Sequence, residues 1–211
     1  MSDDLAFDEA WLVEQLERLP RRGRVAFALA CAERLYGPYG PYADRVWYGE
    51  SGELSAVLER LWRECEAAEV ATDWVESSAE RLTRLIPHDD DVQWSVPGHT
   101  ELNEFSTALY YALESYRLGD SEMPAHAAEH AYGVRWSTVA NRHDIDLNAP
   151  GGVQAVARDS LVQAELARQR RDLEDLLRGP DSPELVRRLR GRAKDEAALL
   201  AEAQRDGPTK D

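Results

Sequence analysis

The sequence predicts an all-α, bundle-like single domain of about seven to eight helices with a C-terminal helical extension. Three observations carry that prediction. Apolar residues recur at helical spacing along most of the chain, most cleanly at Leu54, Val57, Leu58, Leu61, Trp62 and Cys65. No period-2 run of useful length and no internal repeat occurs. From Val25 to Ala32 no side chain is polar apart from the thiol of Cys31, and a helix that is apolar all round is buried on all sides.

The elements follow in order. Phe7 to Leu19 reads as a first helix, with Trp11, Leu12, Leu16 and Leu19 as its apolar stripe and Asp8 and Glu9 suiting its first turn. Pro20 and Gly23 break it. The all-apolar helix runs from about Arg21 to Tyr36, where Gly37-Pro38 is expected to stop it. A third helix carries Leu54 to Cys65, capped at Ser51 or the residue after it. Thr72 or Asp73 opens a fourth, which Pro87 ends, and His88 to Gly98 is a polar loop. Thr100 is placed to cap the next, which carries Leu102, Phe105, Leu109, Ala112, Leu113 and Tyr116 to Gly119. Another runs from about Glu122 to Arg142. After the loop Asp144–Gly152, one long helix is expected to reach Arg178. Gly179-Pro180-Asp-Ser-Pro183 is the strongest boundary signal. It divides a helical domain, 1–178, from an extension, 179–211, whose weaker helix carries Leu185, Val186, Leu189, Ala193, Ala197 and Leu200.

Composition narrows the function classes. Of 211 residues 43% are hydrophobic, enough for a sizeable core, and 31% are charged. Forty acidic residues against 25 basic ones give a net charge of −15, which phosphate backbones and anionic lipid repel. Nucleic acid and membrane are therefore disfavoured as partners, and a basic protein is favoured. The N-terminus has no secretory leader pattern, and no apolar stretch reaches the ~18 residues of a membrane span. Cys31 and Cys65 stand far apart among apolar residues, which reads as buried reduced thiols in a cytoplasmic protein.

Three local patterns resemble the YjaG-like family of bacterial proteins, a domain of unknown function. They are Ala30-Cys-Ala-Glu33-Arg34-Leu-Tyr36 with Tyr39 and Tyr42 beyond it, Ile86-Pro87 followed by Asp90-Asp91, and Ser137-Thr138-Val139-Ala140. The resemblance covers about Trp11 to Arg178. It implies an all-helical fold and supplies no catalytic residues. The Gly-Pro repeats around Tyr39 and the tail after Gly179 depart from the family's pattern.

Five features invite a chemical reading. His126-Ala-Ala-Glu129-His130 matches the H-x-x-E-H pattern of inverted zinc peptidases: residues four apart share a helix face, so two imidazoles can grip one metal. A third ligand would have to come from elsewhere, with His88, Asp90, Asp91 and Glu104 as candidates. Those peptidases are larger mixed α/β proteins, however, and the alternative is that one histidine packs at a helix seam while the other faces solvent. The adjacent carboxylates of His88-Asp-Asp-Asp91 can bind a hard cation such as magnesium or calcium, but the spacing lacks the alternating ligands and glycine of a calcium loop, and the alternative is a solvated loop or a turn cap. Glu33-Arg34 ends the buried helix, so Arg34 is expected to tie a carboxylate or helix C-terminal carbonyls; the functional version is an anion grip beside Tyr36, Tyr39 and Tyr42. The Tyr-Gly-Pro-Tyr-Gly-Pro-Tyr run, with Trp47 and Tyr48, is either a recognition surface or the closed end of the bundle. Arg168 to Lys194 is locally basic and is expected to pair with the acidic remainder.

There is no glycine-rich phosphate loop, dinucleotide fingerprint or Gly-x-Ser-x-Gly elbow. The expectation is a non-catalytic protein-interaction module, an adaptor or an antitoxin-like or immunity-like binder. It carries no catalytic, cofactor-binding or metal residues and no cofactor. The alternative is a metal-dependent helical-bundle enzyme or sensor using His126 and His130. A homodimer through the C-terminal helix is a third expectation.

Overall fold

The computed structural model describes residues 4–46, 51–67, 72–86, 99–179 and 182–205, with the side chains of 38–46, 51, 72, 85, 99–101 and 203–205 outside that description. Among them run nine helices: α1 (Glu9–Glu17), α2 (Arg21–Val46), α3 (Ser51–Ala67), α4 (Thr72–Leu85), α5 (His99–Leu118), α6 (Glu122–Arg142), α7 (Gly152–Ala157), α8 (Ser160–Arg178) and α9 (Pro183–Arg205). The described residues hold no strand, as the periodicity requires, and none of their helices is long and apolar enough to cross a membrane.

The all-apolar helix is the axis of the molecule. Every residue from Val25 to Leu35 is buried, and α2 packs on α3, α5, α6, α8 and α9. The amphipathic helices turn their stripes toward it. Leu54, Leu58, Leu61 and Trp62 come from α3, Leu102, Phe105, Leu109 and Leu113 from α5, and Leu185, Val186, Leu189 and Ala193 from α9. A smaller cluster of Val139, Val156, Val162 and Leu166 joins α6, α7 and α8, and the N-terminal segment lies over it, with Phe7 stacked on Tyr132 at 5.0 Å.

The structure corrects three expectations. First, α2 does not stop at Gly37-Pro38 but continues to Val46. Gly37 answers a packing demand instead: a Cβ there would lie 2.6 Å from both Cβ and the carbonyl oxygen of Ala197, so α2 and α9 meet backbone to backbone. Second, the long helix expected up to Arg178 is two, α7 and α8. Asp159 is extended (φ −62°, ψ 141°) and its side chain accepts a hydrogen bond from Leu161 N at 2.8 Å, restarting the helix. Third, Trp11 is not part of the buried stripe of α1. It is 38% exposed and its ring takes the Arg170 guanidinium at 5.3 Å, while Leu12 and Leu16 are buried.

Candidate functional site

The largest gathering of buried polar groups lies where α2, α6, α8 and α9 meet. Arg34 is fully buried. Its Nε donates to Glu165 Oε1 at 3.2 Å and its Nη1 to Asp172 Oδ2 at 2.7 Å. Asp172, also fully buried, accepts at its other oxygen from Arg192 Nη2 of α9 at 2.7 Å. Glu196 Oε2 stands 3.6 Å from Arg34 Nη1, and Arg168 lies 3.7 Å from the second oxygen of Glu165. Gln169 donates to Glu165 Oε1 and to the Ala128 carbonyl, which ties the network to α6.

Proline chemistry adds a further strand to this network. Pro38 has no N–H, so the helix interior cannot satisfy the carbonyl four residues before it, that of Arg34. Arg135 Nη2 of α6 approaches that oxygen at 3.5 Å, from a side chain that is itself 4% exposed. The proline that reads as a helix terminator thus sits inside a helix whose freed carbonyl faces a buried cation.

The electrostatics follow from burial. Burial pushes the Glu165 carboxyl up, but Arg34, Arg135 and Arg168 outweigh it and hold the group below the usual carboxylate range. Burial lowers the Arg34 pKa and Glu165 and Asp172 raise it; the net shift is upward, so the guanidinium stays charged. Glu33 is different. It is 5% exposed and its Oε2 accepts from Trp62 Nε1 at 2.8 Å, but burial dominates and raises its carboxyl. Cys31, 3.5 Å from Arg34 Nη2, and Cys65 are both buried and free. Burial raises both thiols, Cys65 to about 12, which leaves neither a thiolate nucleophile at neutral pH.

Arg34 thus meets the expected carboxylates, two of them. Glu165, Gln169 and Asp172 are not among the residues the sequence patterns single out, yet they carry a signal. They fall at i, i+4 and i+7 within the apolar face of α8 marked by Val162, Leu166, Leu173 and Leu176. Polar residues that interrupt an apolar stripe in register are candidates for a buried network.

The histidine motif lies on α6 facing α1 and α5. The Tyr111 ring of α5 packs against both imidazoles, at 5.0 Å from His126 and 5.5 Å from His130. His130 Nδ1 pairs with Glu104, one of the candidate third ligands. His126 Nδ1 instead faces Glu9 Oε1 of α1 and Glu129 Oε2, each at 3.7 Å. Among the described residues, ligand atoms within 4.8 Å of one another gather at Glu9, His126 and Glu129, a group that leaves out His130. His88, Asp90, Asp91, Trp47 and Tyr48 lie outside the described residues, as do the side chains of Tyr39 and Tyr42. Tyr36 is half-buried, 5.3 Å from the Phe105 ring.

The basic segment pairs inside the molecule. Arg190 bonds Glu66 at 3.0 Å and also Glu59, Lys194 bonds Glu59 at 2.6 Å, and Arg171 bonds Glu196. These contacts fasten α9 to α3 and α8.

An all-helical protein built on one buried helix, with its core charges tied to each other, is the class that fold and network define. The chain belongs to the DUF416 family, described as a protein of unknown function, whose model matches residues 12–198. The matched stretch runs through most of α9. A crystal structure of a DUF416 family protein from Shewanella baltica OS155 is similar in fold. It is 20% identical, covers 87% of this chain and 93% of that one, and superposes with a TM-score of 0.74. Among curated proteins, none matches the chain.

Proposed function

We propose that this protein works by binding a basic protein partner in the cytoplasm, as an adaptor or as an antitoxin-like or immunity-like inhibitor, and not by catalysis. Within DUF416 we read it as YjaG-like, on the three local patterns around Glu33-Arg34, Ile86-Pro87 and Ser137–Ala140. The observation that carries the proposal is the acid excess, a net charge of −15. The buried arginines Arg34 and Arg135 face groups of this same chain, and the local basic surplus of 168–194 pairs with its own carboxylates. The acidic balance is thus left to the surface, where it steers and holds a cationic partner.

The test is capture on the immobilised full chain from its native cell, followed by elution in rising salt. The expected outcome is a basic partner whose retention falls steeply with ionic strength, because exposed charge pairs are screened within about 10 Å at 0.1 M salt. Recovery of no salt-sensitive partner, or of acidic proteins only, overturns the reading.

A further inference from the structure

We propose that Glu9, His126 and Glu129 form a binding site for one divalent first-row transition-metal ion of the zinc type, which clamps α1 onto α6. Neither carboxylate is close enough to hydrogen-bond the imidazole; both stand 3.7 Å from the same atom, His126 Nδ1. Ligands bound at about 2.1 Å around a tetrahedral ion stand about 3.4 Å apart. The three ligand atoms already lie within 4.8 Å of one another, and the two carboxylates, being half-exposed, are free to turn inward and close the site.

The positions are set independently of any ion. Asp8 caps α1 by accepting from Trp11 N at 3.0 Å, which fixes the first turn that carries Glu9. His126 and Glu129 are three apart on α6 and therefore share a face. The Tyr111 ring packs on the His126 imidazole and limits its rotation. Leu12 and Leu16, buried just behind, seat α1.

The donor set selects the ion. Two carboxylates neutralise a dication, and an imidazole nitrogen favours zinc and its neighbours over magnesium or calcium, which take oxygen. The carboxylates are 50% and 54% exposed, so water completes the coordination shell. His130 is left out by position: the ligand atoms that come within 4.8 Å of one another are those of Glu9, His126 and Glu129, while His130 turns its Nδ1 to Glu104 of α5. The ion's role here is structural: it joins the first turn of α1 to a helix more than a hundred residues away.

The test uses the full chain without a histidine tag, dialysed against chelator and titrated with zinc chloride in a calorimeter. One ion per chain is expected, with slowed amide exchange in α1 on zinc addition. His126→Ala abolishes binding. Glu9→Gln and Glu129→Gln each weaken it by about tenfold or more, and His130→Ala leaves it unchanged. If His126→Ala does not fold, Glu9→Gln, at a half-exposed position, carries the test alone. No zinc binding, equal binding of magnesium, binding undiminished in Glu9→Gln, or loss in His130→Ala overturns the site. Partner capture by chelator-treated protein keeps this outcome separate from that of the acidic-surface reading.

Discussion

Arg34 sits where water does not reach, and so do Glu165 and Asp172. Three buried charges seldom stabilise a core more than apolar side chains of the same size would, yet removing one member leaves the others uncompensated. Arg34→Met is expected to lower unfolding free energy by about 3–5 kcal/mol in urea titration, and Arg34→Met with Glu165→Gln and Asp172→Asn to recover much of it. The two buried glutamates then respond to pH with opposite signs. Glu165 is held below the ordinary carboxylate value of 4.5, so the unfolded chain takes up its proton first as pH falls. Its stabilisation is complete above that value and is lost as pH drops through the folded value. Glu33 is raised above 4.5, so the folded protein binds that proton more tightly and stability declines as pH rises through the folded value. Glu33→Gln keeps an acceptor for Trp62 Nε1–H, and is expected to flatten the pH dependence of the melting temperature above 4.5 without lowering it at pH 7. A profile unchanged by the substitution counts against the assignment.

At the scale of elements, α2 and α9 approach so closely that only a hydrogen fits at Gly37. Gly37→Ala is expected to destabilise by about 1–3 kcal/mol, and Gly37→Val by more, because the obstacle is backbone as well as side chain of Ala197. A stabilising Gly37→Ala, the usual helix-interior result, would overturn the backbone-to-backbone contact of α2 with α9. The break at Asp159 makes a second, milder prediction. Asp159→Ala removes the bond to Leu161 N and should cost about 1 kcal/mol by thermal melting. Both positions show why sequence punctuation misled. Gly37-Pro38 has the composition of a helix stop, but Arg135 lies at the carbonyl a proline strands, and the glycine serves the neighbouring helix. Asp159 carries the opposite signal, a capping residue hidden inside a run that is apolar at the right spacing on both sides.

For the whole molecule, α9 is part of the packed core. It covers α2 with Val186, Leu189 and Ala193, supplies Arg192 to Asp172, and ties Glu59 and Glu66 of α3 through Arg190. Truncation at Arg178 strips apolar surface from α2 and leaves Asp172 without one of its two cations. The expected result is loss of the cooperative unfolding transition, read by circular dichroism. A truncated chain that melts cooperatively and changes only its size on a column would instead favour α9 as a subunit interface.

The sequence by itself determined the helical class, the burial of α2 and the need of Arg34 for a partner, a carboxylate or helix C-terminal carbonyls, because periodicity and burial are written locally along the chain. Only the tertiary structure decided which carboxylates answer Arg34, since Glu165 and Asp172 lie more than 130 residues away. The same holds for the histidines. Spacing of four places His126 and His130 on one face, but Glu104 of α5 takes one and Glu9 of α1 approaches the other. Helical spacing fixes neighbours within a helix, whereas pairing between helices depends on how the apolar stripes pack, and that is a property of the whole fold.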